Sequence, residues 1–160
     1  MKEMNLDVAD ILQRIWKAYI IDKSWRPAVK GTRCQYALIN KAGKYVPNKA
    51  CFVGFFIPRE EKFHDLLVAQ GSIKDIYDKH QSLVLEAFDA KKLTEEDIYF
   101  LNLLQFIHDD AAIKKLGYDF LDGGLSEMGS SKTYNRYLPA MKTSLENFAS
   151  LYNVELEPAA

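Results

Sequence analysis

Residues 33–58 read RCQYALINKAGKYVPNKACFVGFFIP, and the fold turns on how they pair. Cys34, Tyr36 and Leu38 alternate with Gln35, Ala37 and Ile39, the two-residue period of a strand. Lys41-Ala42-Gly43 offers a turn, and the chain returns from Lys44 to Ile57 with an interruption at Pro47-Asn48 that fits a bulge or a sheet edge. The second half of that return, Cys51 to Ile57, is apolar on both faces, so as a strand it needs cover on both sides. Pro58 stops it. With the turn centred on Ala42, Cys34 falls opposite Ala50, and a bulge at Pro47 brings it to Cys51.

Outward from this stretch the period is helical. On the N-terminal side, Asn5 is a suitable cap and Asp7 and Asp10 favour the positive end of a helix. Val8, Leu12, Ile15 and Tyr19 then mark a face, widened by Ile11 and Trp16, and the helix ends between Ser24 and Pro27. On the C-terminal side, Ser72 to Asp75 is a capping-box variant that leads into Ile73, Ile76, Tyr77, His80, Val84 and Phe88 on one face. Thr94 to Asp97 is a second such start, for a helix reaching Ile107, and Asp109 to Leu116 adds a short helix closed by Gly117. Asp122 to Thr133 reads as a loop, followed by a helix with Pro139 in its first turn and Leu138, Met141, Leu145, Phe148 and Tyr152 on one side. The expected fold is therefore α+β. An N-terminal helix and one β-hairpin or small antiparallel sheet pack against several α-helices, in a single domain over residues 1–160.

A chain of 160 residues with 48% hydrophobic and 27% charged residues buries an ordinary core without needing a metal or disulfide. Twenty-one Lys and Arg balance 22 Asp and Glu, which weighs against generic DNA binding, since that requires surplus cations. No apolar run approaches the roughly 20 residues of a membrane span. The start, MKEMNLDVADIL, is acidic where a signal peptide is basic, and two cysteines make no secreted scaffold, so a cytoplasmic protein is expected.

One resemblance adds a setting. Arg33-Cys34-x-Tyr36, then Lys49-Ala50-Cys51-x-Val53-Gly54-x-x-Ile57-Pro58, then Leu103-Leu104-Gln105-x-x-His108-Asp109 resembles a family of small uncharacterised phage and prophage proteins, over residues 33 to 110. The family supplies no reaction. The resemblance implies a phage or mobile-element origin and the cytoplasm of the host cell, and with it an interaction protein that inhibits a host or defence component.

Four groups of residues invite chemistry. His108-Asp109 matches the pair used by metal-dependent phosphohydrolases, with His64 or His80 as an upstream ligand and Asp119 or Asp122 downstream. The plainer reading places His108 at a helix C-terminus and Asp109 as the cap of the next helix, with His80 packed on an apolar face and His64 solvated. Cys34 and Cys51 lack the short spacing of a zinc knuckle and read as small buried hydrophobes in a reducing compartment. Gly124, Gly129 and Lys132-Thr133 only approximate a phosphate loop, because Ser130-Ser131 separate the second glycine from the lysine. No cofactor is implied.

The fourth group is a basic patch around the hairpin, formed by Arg26, Lys30, Arg33, Lys41, Lys44 and Lys49. Lys41, Lys44, Tyr45, Lys49 and Arg33 are the expected binding residues. Like charges on a short turn repel each other and do little for folding, and a tyrosine among them can anchor an interface. The expected activity is accordingly non-enzymatic binding of a protein with an acidic or phosphate-bearing surface, away from membranes. The alternatives are a His-Asp hydrolase and a binder that sequesters a small anionic ligand.

Overall fold

Asp7, rather than Asn5, caps the first helix: its carboxylate accepts from the Asp10 N–H at 3.0 Å, and α1 runs Val8–Trp16. The helix then widens into a π-turn over Lys17–Ile21, closed by Asp22 N–H donating to the Lys17 carbonyl at 2.8 Å. Widening places Ala18, Tyr19 and Ile20 inside in succession, so three adjacent side chains reach the core. Lys23 leaves with a φ of 53°, and the chain turns so that Trp25 N–H donates back to the Ala18 carbonyl at 3.2 Å.

The computed structural model describes residues 3–26, 29–30, 33–34, 36–112 and 131–159, with side chains at all of these except 29–30, 33–34, 110–112 and 131–137. The chain is helical, and the α+β expectation is overturned. After α1 come α2 (His64–Leu67), α3 (Ile73–Lys79), α4 (Gln81–Ala87), α5 (Glu95–Ala112) and α6 (Ser131–Leu151). Extended pairing among the described residues amounts to a two-residue ladder, Val29–Lys30 against Arg33–Cys34, and two isolated bridges. This is too little to make a sheet. Cys34 therefore faces Val29 across that ladder, not Ala50 or Cys51.

The expected hairpin fails at identifiable bonds. The chain does fold back at Lys41–Gly43, where Val46 N–H donates to the Leu38 carbonyl at 2.7 Å and Asn40 N–H to the Lys44 carbonyl at 2.8 Å. Beyond that turn Lys49 pairs in parallel with Arg26, and Ala50 N–H donates to the Arg26 carbonyl at 2.9 Å. The apolar run then coils: Phe55 N–H reaches the Cys51 carbonyl at 2.9 Å, and Gly54–Phe56 forms a 3-10 turn. Gly54 is obligatory there, because a Cβ would lie 2.1 Å from the Tyr36 carbonyl oxygen.

The helical boundaries also move. Ser72 caps α3 through the Asp75 N–H at 3.2 Å, but the expected single helix breaks at His80, which ends α3 and precedes α4. Thr94 and Asp97 form a reciprocal capping box, with Asp97 N–H on Thr94 Oγ1 at 3.1 Å and Thr94 N–H on Asp97 Oδ2 at 2.8 Å. From there α5 continues without a break past Ile107, so Asp109 is a helix-interior residue and caps nothing. Since α6 begins at Ser131, Pro139 lies inside it rather than in its first turn. The end of α5 after Ala112, Gly117 and the span 113–130 lie outside the described residues.

Buried side chains from α1, the 50–57 coil, α2 to α5 and α6 form one apolar cluster. Phe100 of α5 stacks on Phe148 of α6 at 5.5 Å, and Tyr152 closes edge-on against both. The tail after α6 folds back on α1, where Trp16 Nε1 donates to the Glu157 carbonyl and Gln13 Nε2 to the Glu155 carbonyl, each at 2.6 Å. Asp97, with no exposed surface, also accepts the N–H groups of Asn5 and Leu6 at 3.0 Å and so pins the N-terminal segment to the start of α5. Replacing it strands several buried donors at once. Asp97→Ala is expected to lower stability by about 3 kcal/mol, with Asp97→Asn costing less because one acceptor remains. Urea unfolding with an unchanged m-value would show it.

Candidate binding cleft

The irregular stretch between α1 and α2 encloses a cleft of about 600 Å³. Its walls are aromatic: Trp25 from the exit of α1, Tyr45 from the lysine turn, and Phe55 and Phe56 from the 3-10 turn. Trp25 meets Phe55 edge-on at 4.8 Å, and Phe55 meets Phe56 edge-on at 5.0 Å, so these rings fix one another. Pro47, Asn48, Ile57 and Pro58 complete the lining with two cations, Arg14 and Arg59. Among the described residues no carboxylate lines it.

The two arginines hold their charge differently. Arg59 is half-buried, and its guanidinium donates to four backbone carbonyls: Gly54 and Ile57 (2.7 Å) from Nη1, Tyr36 (3.1 Å) and Lys49 (3.1 Å) from Nη2. Its Nε is buried without a hydrogen-bond partner among the described residues. Burial draws its pKa down, but a guanidinium starts so far above neutrality that it stays charged at neutral pH. It lies 5.4 Å from the Trp25 ring centroid. No carboxylate pairs with it among the described residues. Arg14, by contrast, is 56% exposed, sits 4.9 Å above the Phe56 ring and makes a loose 3.8 Å ion pair with Asp10.

Of the expected binding residues, Lys41 and Lys44 are exposed on the turn and make no ion pair among the described residues. Lys49 is half-buried, and its carbonyl is one of those held by Arg59. Tyr45 lines the cleft, and its hydroxyl meets His64 Nδ1 at 2.5 Å, so His64 is engaged rather than simply solvated. Partial burial and then the nearby Glu61 charge raise the Tyr45 pKa, which keeps the phenol protonated. The side chains of Lys30 and Arg33 lie outside the described residues. The turn is thus the rim of a site whose floor is Trp25, Phe55 and Arg59. Sequence reading missed that floor. The signals available were the aromatic pair Phe55-Phe56 and an Arg59 directly behind Ile57-Pro58.

His108 and Asp109 lie elsewhere, on the face of α5 that meets the inner side of the 51–54 coil. His108 is fully buried, its Nδ1 3.0 Å from Asp109 Oδ1 and its ring edge-on to Phe52 at 5.0 Å. Gln105 bridges them to the coil, donating to Asp109 Oδ1 at 2.7 Å and accepting from Val53 N–H at 3.3 Å. The expected placement of the histidine at a helix end is corrected, because the helix continues to Ala112. His80 is half-exposed at the α3–α4 junction, and Asp119 and Asp122 lie outside the described residues, as does the glycine pair of the phosphate-loop approximation. Among the described residues no cluster of three or more His, Cys, Asp or Glu could hold a metal ion.

Cys51 borders the same inner face. Burial, opposed by the Gly54 N–H at 3.4 Å and reinforced by the Asp109 charge, pushes its thiol up to about 12 from 9.0. Burial likewise raises the Tyr36 phenol, with the Cys51 and Asp109 charges adding to it. Neither group ionises at neutral pH. Among the described residues no helix is long and apolar enough to cross a membrane. No family model, curated protein or solved structure matches this chain.

Two outcomes check this geometry. Gly54→Ala drives a methyl into the Tyr36 carbonyl and is expected to cost about 3 kcal/mol or prevent folding. The thiol keeps its proton in the folded state above pH 9.0 while the unfolded chain loses it, so the folded state binds more protons and stability falls as pH rises toward about 12. The slope contributed is about 1.4 kcal/mol per pH unit. Cys51→Ala should flatten the stability profile in that window, and unfolding followed from pH 8 upward would measure it.

Proposed function

We propose that the protein works by binding, docking an acidic segment of another protein at the cleft and the lysine turn beside it. The observation that carries this is the cleft's composition: four aromatic side chains and two arginines, with no carboxylate in the lining among the described residues. Aromatic and arginine side chains are those that dominate interface energetics, since they bury large areas and keep a polar handle. Lys41 and Lys44 extend the positive potential outward from Tyr45, steering an acidic partner and setting its orientation. The buried, protonated Cys51 thiol offers no nucleophile at neutral pH.

The setting follows from the resemblance to phage and prophage proteins, carried by Arg33, Cys34, Tyr36, Lys49 to Gly54 and the Leu103 to Asp109 stretch. In that setting the partner is a component of the host cytoplasm, and docking inhibits it. The test is capture of the partner from host extract by wild type and by a Lys41→Glu, Lys44→Glu variant. Both lysines are exposed, so the variant is expected to melt within about 1 kcal/mol of wild type. It should lose the partner, and capture by wild type should decline with added salt as the charges are screened. Equal capture by the variant, or capture indifferent to salt, would remove the turn from the site.

A further inference from the structure

The geometry points to an anchor: the cleft takes one aromatic side chain of a partner segment, flanked by carboxylates that pair with Arg14 and the lysine turn. This rests on the binding reading above and specifies which part of the partner enters. Three features of the cleft select that occupant. Its floor is a ring cluster, with Trp25 against Phe55 and Phe55 against Phe56 in edge-on contacts that extend to an incoming ring. Its fixed charge is Arg59, whose four Nη hydrogens are committed to backbone carbonyls. That guanidinium can supply potential, while its one unspent donor, Nε–H, is buried without a partner among the described residues. Arg14 is the exposed cation, held by a 3.8 Å pair that a ligand carboxylate can replace.

Length decides between a chain and a small molecule. Cations sit inside the lining, at Arg14 and Arg59, and also outside it, at Lys41 and Lys44. A ligand confined to the cleft would leave the outer pair unused, whereas a segment passing over Tyr45 reaches both. The volume, about 600 Å³, accommodates one large side chain with its neighbouring backbone.

The probe is a capped pentapeptide, Asp-Asp-Phe-Asp-Asp, titrated into ¹⁵N-labelled full-length protein, with the same peptide carrying Ala in place of Phe as its pair. The chain has two tryptophans, and Trp16 is buried with its indole N–H on the Glu157 carbonyl, so the Trp25 indole signal reports the cleft alone. Saturable movement of the Trp25 signal by the Phe peptide is expected, with the Trp16 signal stationary. The Ala peptide should bind about tenfold more weakly, the usual loss on truncating an anchor. Arg14→Gln should weaken the Phe peptide by a comparable factor, and Asp10→Asn, which frees Arg14, should tighten it about twofold.

Equal binding of the two peptides, with movement confined to the 40–46 turn, would overturn the anchor and leave the charged-surface reading standing. Failure of both peptides at millimolar concentration would overturn both readings together. Adenosine monophosphate moving the Trp25 signal at lower concentration than the Phe peptide would overturn the peptide occupant in favour of a small anionic ligand.

Discussion

A single guanidinium organises the part of the chain that has no regular secondary structure. Between α1 and α2 the described backbone passes through turns, bridges and a 3-10 coil, with local hydrogen bonds in place of the continuous ladders that a helix or sheet would supply. Arg59 collects the carbonyls of Tyr36, Lys49, Gly54 and Ile57, which come from three separate places along the stretch. A planar fork with fixed donor directions can do this, and a lysine cannot. Gly54 is the matching concession on the other side, giving up its Cβ so that the Tyr36 carbonyl can approach.

That arrangement spends stability and creates a field. A half-buried cation facing carbonyl dipoles, with no carboxylate beside it among the described residues, is less well compensated than an ion pair. Its positive potential emerges into a cleft with low-dielectric aromatic walls, where it is screened less than on an open surface. The same contacts that fold the coil therefore bias what the cleft can accept. Arg14 and the lysine turn add exposed charge, while Arg59 supplies half-buried charge.

The helices were largely legible in the sequence because their signals are local. Ser72-x-x-Asp75 and Thr94-x-x-Asp97 cap helices as their spacing implies, and the stripe Val8, Leu12, Ile15 marks the buried side of α1. The coil was not legible, for a physical reason. Alternation at residues 34–39 and the apolar run 51–57 satisfy a strand pattern, but a short apolar run carries no periodicity of its own, and here it is buried by coiling around Gly54. The deciding contacts are long-range: Ala50 with Arg26, Tyr19 with Ala50 and Arg59 with Tyr36. The site was half legible for the same cause. Lysines on a tip show in the sequence as a cluster, whereas Trp25, Phe55 and Arg59 converge only after the chain has folded.

The coil also has an inner side, and the two sides are mechanically one piece. Gln105 of α5 accepts the Val53 N–H and donates to Asp109, the Cys51 thiol accepts the Gly54 N–H, and Phe52 packs on His108. Phe55 and Phe56, on the cleft side, follow directly from these residues, so the rings are set from behind by α5 as well as from the side by Trp25. Rigidity of that kind lowers the ordering cost of binding, because the aromatic surface is in place before a ligand arrives. His108 is fully buried and hydrogen-bonded to Asp109, which is partly exposed and takes the Gln105 amide, so the pair braces the coil from α5 and lies outside the cleft lining.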